Sequence, residues 1–285
     1  MKKIIKKLTK VFQIQIRIFF VNLEELTPYL KYSKYSRDRN YLTSDERYST
    51  YSNNDKFANI GAGSHFYHKK WINFDFYLNG ENLINKNYQP IDLAKIDNLP
   101  GKYRLLYCSH VIEHIPSNAI DGTLKILRES MCEMGCLRIV TPDADLIYDA
   151  YKRRDLNFFR IFKSKIPKNL PKDWELEFLL LYLVATKKAR ICNTLTYIEL
   201  IRNNFLIMDK ISFFDFLIQD IESNIEDGSD HVNWFNYKKI RELLLKNGFK
   251  DVRKSAFGQS YHAPMQETPL FDGLLPRISL YIEAE

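Results

Sequence analysis

The chain has 285 residues, 45% hydrophobic, 14% aromatic and 27% charged, with only 10 glycines and 10 prolines, which excludes a disordered or fibrous protein and leaves room for one large core or two small ones. Its net charge of +7 lies in residues 1–40, where ten basic residues stand against three acids, while the rest of the chain carries 32 charges of each sign; a basic end on a neutral body argues against a nucleic-acid partner tracked along a broad groove. Cys108, Cys132, Cys136 and Cys192 form no CxxC pair, so reduced thiols in a cytoplasmic setting are expected rather than a disulfide framework.

Residues 1–23 begin with lysines and an apolar stretch, as a signal peptide does. However, Gln13, Gln15 and Arg17 interrupt the run and no small-residue cleavage site follows. Its apolar length is also far below the ~20 residues of a membrane span. Ile5, Leu8, Phe12, Ile16, Phe19 and Leu23 recur at spacings of three and four, predicting an amphipathic helix with six basic residues in it. Such a helix docks on its own domain, packs against a partner or makes a peripheral contact with an anionic membrane, here the inner surface. Residues 31–55 are polar and nearly free of aliphatics, which predicts a linker or loosely held surface segment. The chain therefore divides into 1–55 and a domain over 56–285.

From residue 56 short apolar runs end in polar or glycine-containing turns. KFANI (56–60), WINFDF (71–76), YQPIDL (88–93), YRLLYCS (103–109) and CLRIVTPD (136–143) read as strands, and SNAIDGTLKILRESMCEM (117–134) as a helix. Strands alternating with helices predict a mostly parallel sheet. Residues 144–229 change character, with Leu, Phe and Ile at helical spacings, and read as a helical insertion. The rhythm resumes with the helix FNYKKIRELLLKNGF, closed by Gly248, and two strands, DVRKSAFG and RISLYIEAE, that predict an antiparallel finishing hairpin.

Asn59-Ile60-Gly61-Ala62-Gly63 follows the first strand, and its glycines permit a tight turn close to a ligand. Fourteen residues after Gly61 the second strand ends in Asp75, where a carboxylate can accept both hydroxyls of a ribose. The third glycine of a dinucleotide fingerprint is missing and the spacing leaves only a stub of helix, which disfavours NAD.

In that order, NIGAG, WINFDF, PIDLAKIDNLP, YCSHVIEHIP and LRIVTPD resemble the class I S-adenosylmethionine-dependent methyltransferases, especially a bacterial branch linked to surface-polysaccharide or capsule synthesis. The resemblance covers residues 56–145 and 230–285. It implies an α/β, Rossmann-like, seven-stranded and mostly parallel sheet with a C-terminal antiparallel hairpin and a helical lid inserted after strand five. It also implies a cytoplasmic enzyme that moves a methyl group from S-adenosylmethionine to the hydroxyl of a small molecule, a saccharide or envelope precursor. On this resemblance Gly61, Ala62 and Gly63 pass under the methionine part of the cofactor, Asn59 stands where many relatives have an acid, and Asp75 takes the ribose. Asp92 with Leu93 lies near the adenine, with Asp97 the competing choice, and Ser109 and His110 flank the cofactor where the acceptor enters. Asp92 and Asp97 are equally suited to capping a turn or helix.

His110-Val111-Ile112-Glu113-His114 also matches the H-x-x-E-H pattern of zinc peptidases. A long motif helix is not expected, because His110 follows directly on a strand and Pro116 comes two residues after His114. His110, Glu113, His114 and His231 are the catalytic candidates here: a related arrangement in some class I methyltransferases holds a divalent metal that binds the acceptor's hydroxyl, and the metal-free alternative has one of these histidines take the acceptor's proton; local hydrogen bonding at a helix start is the competing structural account. Asp143 and Asp145 leave strand five where ligands bind open α/β sheets, to orient an acceptor or to cap the next helix. His65, His68 and His262 lie in polar loops and carry no role. The rival reading is a catalytically inactive member of the fold that serves as a binding or scaffold protein at the membrane surface.

Overall fold

The computed structural model describes residues 46–63, 68–76, 88–191, 194–219, 221, 230–268 and 270–285. The amphipathic segment 1–23, most of the polar stretch 31–55, the end of the insertion at 222–229, His65 and Cys192 lie outside the described residues.

Seven strands form one sheet: β1 (Phe57–Ile60), β2 (Trp71–Asp75), β3 (Tyr88–Pro90), β4 (Tyr103–Ser109), β5 (Met131–Pro142), β6 (Val252–Ser255) and β7 (Ser279–Ala284). Their order is β3-β2-β1-β4-β5-β7-β6. The first five pair in parallel, and β7 runs antiparallel to both β5 and β6. This is the Rossmann-like α/β sheet with a closing antiparallel hairpin that the sequence predicts. β1 is buried at all four positions, because it is paired on both edges and covered on both faces, so its sequence shows no alternation.

Among the described residues seven helices accompany the strands: α1 (Ile120–Glu129), α2 (Ala144–Lys152), α3 (Glu175–Val184), α4 (Thr186–Ile191), α5 (Leu195–Ile207), α6 (Lys210–Ile218) and α7 (Tyr237–Lys246). Leu124 and Leu127 of α1 and Ile240 and Leu244 of α7 pack with Leu106, Leu137 and Ile282 on one face of the sheet. The expected helix over 117–134 is shorter, since Ser130 closes it by donating to the Ile126 carbonyl and Met131 already pairs with Tyr103 on β4. Asn236 caps α7 by accepting from the Lys239 N–H.

The insertion between β5 and α7 has its own core, in which Ile147, Phe159, Leu180, Phe213 and Phe214 are fully buried. Glu177, also buried, is held by Arg154 at 2.8 Å and Arg202 at 3.1 Å. Burial alone would raise its carboxyl, but these two guanidinium groups hold it below the usual range. No helix of the described residues is long and apolar enough to cross a membrane.

The opposite face of the sheet is covered by Phe271, Met265 and Tyr48, packed on Phe57, Trp71 and Tyr107. Tyr48 belongs to the polar stretch that reads from sequence as a linker or loosely held surface, yet it is 3% exposed and accepts a hydrogen bond from Trp71 Nε1 at 2.5 Å. One aromatic side chain with a polar tip can anchor a segment whose composition is otherwise that of a loop. Beside this layer Arg138, Asp272 and Glu283 form a fully buried ionic cluster.

Candidate active site

The turn after β1 is shaped by its glycines. Gly61 and Gly63 have φ of +67° and +61°, the left-handed region that only glycine enters without cost. The Gly61 and Ala62 N–H groups donate to the Phe74 carbonyl on β2 at 2.7 and 3.1 Å, and the Gly63 N–H donates to Asp75 Oδ2 at 2.6 Å. Tyr88 closes the bracket by donating to the Gly63 carbonyl at 2.8 Å; its hydroxyl is pushed up by burial and by the nearby Asp75. Gly61, Ala62, Gly63 and Asp75 thus form one constellation across the ends of β1 and β2. A side chain at Gly63 would meet nothing within 4 Å, whereas at Gly61 its Cβ would lie 2.1 Å from Val111 Cγ2.

The other cofactor candidates are placed less directly. Asn59 is buried in β1, level with Asn73 on β2 and Tyr107 on β4. Asp92 accepts from the Ala94 N–H at 3.1 Å and pairs with Lys95 at 3.0 Å, so its carboxylate forms a local turn. The Leu93 side chain is in the core, and its carbonyl accepts from Thr123 Oγ1 at 3.1 Å. Asp97 is exposed. Ser109 ends β4 and hydrogen-bonds Tyr107.

Beyond β4 the chain makes a sharp corner. His110 has φ +54°, a conformation that costs a non-glycine residue roughly 1–2 kcal/mol. Residues Ile112–His114 then form one turn of 3-10 helix, so the long helix that a zinc-peptidase motif needs is absent among the described residues. His110 turns inward, its side chain 6% exposed. Nδ1 lies 3.0 Å from Glu113 Oε1, and Nε2 lies 3.0 Å from Ser279 Oγ and 3.2 Å from the Leu274 carbonyl. His110 therefore holds Glu113 in place.

Glu113 is 1% exposed, and Thr141 Oγ1 donates to its Oε2 at 3.1 Å. Its backbone carbonyl accepts from the Val232 and Asn233 N–H groups at 2.9 and 3.0 Å, which brings His231 to it from far along the chain. Burial alone would raise the Glu113 carboxyl, but the His110 hydrogen bond and the imidazoles of His110, His114 and His231 hold it at about 2. His114 Nδ1 faces the Asp230 carbonyl at 3.0 Å, and His231 Nδ1 faces the Leu183 carbonyl at 2.5 Å. Because a carbonyl only accepts, each Nδ1 carries a proton, so the neutral form of either ring would present Nε2 as the acceptor. Burial lowers the His231 imidazole to about 4 against the opposing pull of Glu113. One ligating atom from each of Glu113, His114 and His231 lies within 4.8 Å of the others.

The sequence pattern names Glu113, His114 and His231 but misses their surroundings. A small cavity beside Glu113 is lined by Thr141, Leu183, Phe214, Asn233 and Trp234, residues of β5, α3, α6 and the segment before α7 that carry no local signature. Asp143 and Asp145 turn out to be occupied. Asp143 caps α2 through the Asp145 N–H at 2.9 Å, and burial raises its carboxyl; Asp145 pairs with Lys210 of α6 at 2.8 Å.

No protein-family model matches the chain, and no curated protein does. Among solved structures, it is similar to an S-adenosylmethionine-dependent methyltransferase from Mesorhizobium loti, at 13% identity over 80% of this chain and 89% of that one, with a TM-score of 0.38. It is also similar to DhpI in complex with SAH, at 10% identity over 92% and 88%, TM-score 0.40. Human N-acetylserotonin methyltransferase matches at 13% identity, TM-score 0.36, over 85% of this chain and 43% of that one. Against several others the chain spans about half the length of the solved protein. Likenesses of this size do not decide the chemistry, which rests on this chain's own residues.

Proposed function

We propose that the chain is an S-adenosylmethionine-dependent methyltransferase that methylates a hydroxyl of a small acceptor, a saccharide or an envelope-precursor metabolite. The observation that carries this reading is the alignment of three features at the carboxyl ends of neighbouring strands: the Gly61–Gly63 turn after β1, Asp75 ending β2, and the Glu113–His114–His231 cluster after β4. Ligands of open α/β sheets bind along that edge.

The residues present suit the cofactor. The turn keeps an open side at Gly63, where the methionine moiety would lie, and Asp75, braced by the Gly63 N–H, would receive the ribose. Asn59, Asp92, Leu93 and Ser109 are the candidates that would complete the adenine and acceptor sides. When bound, the cofactor supplies an electrophilic methyl on a sulfonium sulfur. The chain's part is to align the acceptor oxygen, exclude water and accept one proton. His114, whose Nδ1 is held by the Asp230 carbonyl, would take that proton at Nε2, while His110 would position Glu113.

The same cluster favours a second arrangement, in which Glu113, His114 and His231 hold a divalent cation. Metal ligands must be deprotonated; Glu113 at about 2 and His231 at about 4 meet that condition at neutral pH. The backbone carbonyls on both Nδ1 atoms orient the rings as outer partners do in metal sites. A cation there would polarise the acceptor oxygen.

The reading places the enzyme in the cytoplasm, with residues 1–23 as a peripheral contact at the inner membrane surface. Its test is incubation of the full chain with labelled S-adenosylmethionine and cell-envelope precursors, read by mass spectrometry, with and without a chelator. Labelled methyl on a precursor hydroxyl is the expected result. Loss of turnover on chelation, restored by Mg²⁺ or Mn²⁺ with cofactor binding unchanged, selects the cation. Cofactor binding without any turnover selects the alternative, a scaffold protein of the same fold. No cofactor binding removes both.

A further inference from the structure

The balanced charge of residues 41–285 conceals a local excess. Between Lys152 and Lys172 eight Lys and Arg residues face a single acid, Asp155, and all eight are exposed. Arg154 is tied to Glu177; among the described residues the other seven pair with no carboxylate. The fold presents them together. In the 3-10 helix Phe158–Lys165, Phe159 is fully buried and Phe162 packs against the insertion core, joined by Ile166 and Leu170 beyond it. Arg160, Lys163, Lys165 and Lys168 point outward. Residues three apart eclipse on a 3-10 helix, which puts Arg160 and Lys163 in one row. Leu156 and Ile161, each 38% exposed, stand among these cations.

We propose that this strip of the insertion is a docking surface for an anionic phospholipid membrane. It is separate from residues 1–23 and does not depend on methyl transfer. Unpaired cations on long flexible stems attract a negative headgroup layer, and aliphatic side chains between them enter the boundary with the acyl chains. A nucleic-acid strand would gain from the charge but not from exposed Leu156 and Ile161, since its bases stack on aromatic rings, and here Phe159 and Phe162 face inward. The strip also backs onto the candidate site: Phe162 lies 5.5 Å from Tyr182 of α3, and the next residue, Leu183, holds His231 by its carbonyl.

The test is sedimentation of the full chain with phosphatidylcholine vesicles, with and without phosphatidylglycerol, at low and high salt. One variant carries Arg160→Glu, Lys163→Glu and Lys168→Glu; a second carries Lys2→Glu, Lys3→Glu, Lys6→Glu and Lys7→Glu; a third combines them. Each basic residue near an anionic surface contributes about fivefold to partitioning, so the strip variant should lose at least about 100-fold, whether or not the first lysines are also reversed, and added salt should weaken the binding of the unchanged chain. Equal partitioning of the unchanged and strip-reversed chains, or equal binding to vesicles without phosphatidylglycerol, overturns the proposal. So does single-stranded RNA binding through the strip by a chain that ignores vesicles. Should the triple reversal lower the thermal midpoint, the milder pair Lys163→Gln and Lys168→Gln replaces it, with roughly a 25-fold loss expected.

Discussion

The rings of His114 and His231 meet edge to face, centroids 4.8 Å apart at 74°, although 116 residues separate the first from the carbonyl that holds its Nδ1. This junction has a pH signature. His231 is held at about 4 in the folded chain against an ordinary 6.5, so the unfolded chain takes up the proton first. Its contribution to stability is complete above about pH 6.5 and is lost as pH falls towards 4. Glu113, held at about 2 against 4.5, adds a second loss between pH 4.5 and 2. Thermal midpoints measured across pH should show both, and His231→Gln should flatten the upper limb and, because His231 helps hold Glu113 down, shrink the lower one. An upper limb unchanged in His231→Gln would assign that titration to another group.

The two glycines of the β1 turn should respond differently. Gly63→Ala meets only the strain of its left-handed backbone, about 1 kcal/mol, because no atom stands near its Cβ. Gly61→Ala adds a collision with Val111 at 2.1 Å, for a total of about 2–4 kcal/mol when overpacking of 1–3 is included. Trimming the obstacle with Val111→Ala should recover more than 1 kcal/mol in the double variant, read by urea unfolding. Strictly additive losses would show that Val111 is not the limiting contact. Asp75→Ala should weaken cofactor binding by about 1.5–3 kcal/mol, the range for hydrogen bonds to a charged group, and calorimetry with an unchanged affinity would remove Asp75 from the site.

Much of this was legible from the sequence where one residue or one run decides the outcome. YRLLYCS forms a strand over all of 103–109, because its apolar run is long and bounded by turn residues, and the GxG turn takes the left-handed angles its glycines permit. The inward turn of His110 was not legible, since it depends on Ser279 and the Leu274 carbonyl, which reach it only through the pairing of β7 with β5. Asp92 and Asp143 illustrate a different limit. A carboxylate after a strand suits a ligand and a cap equally, and only the positions of the Ala94 and Asp145 N–H groups show that Asp92 braces a local turn and Asp143 caps a helix.

Tyr48 makes the boundary of the folded body testable. Its ring lies 5.2 Å from both Phe57 and His68, with Lys70 Nζ 4.7 Å above it, and burial pushes its hydroxyl well up. A chain beginning at residue 54 should be about 3–5 kcal/mol less stable than one beginning at residue 45, the usual range for deleting a buried aromatic. Tyr48→Phe, which removes only the acceptor for Trp71 Nε1, should cost about 1 kcal/mol. Equal stability of the two shortened chains in urea would return residues 46–53 to the surface.

The cluster on the opposite side of the sheet predicts an unequal response to removal of its members. Arg138 donates from Nε and Nη2 to the two oxygens of Asp272 at 3.0 and 2.5 Å, from Nη1 to Ser255 and Glu283 at 3.0 Å each, and from Nη2 to the Ala256 carbonyl at 2.8 Å. All five of its N–H groups are thereby used. Its two carboxylate partners are both 0% exposed, so Arg138 is the single cation between two buried anions. Arg138→Met leaves those anions facing each other without compensation and should cost at least the 3–5 kcal/mol seen when one side of a buried pair is removed. Asp272→Asn instead leaves one cation with one anion. It keeps a residue type tolerant of the +62° φ at this position, and should cost less than Arg138→Met. Urea unfolding of the two variants reads the order directly. A larger loss for Asp272→Asn would mean that its bonds to the Gly258 N–H and Tyr107 hydroxyl, rather than charge balance, govern the cluster.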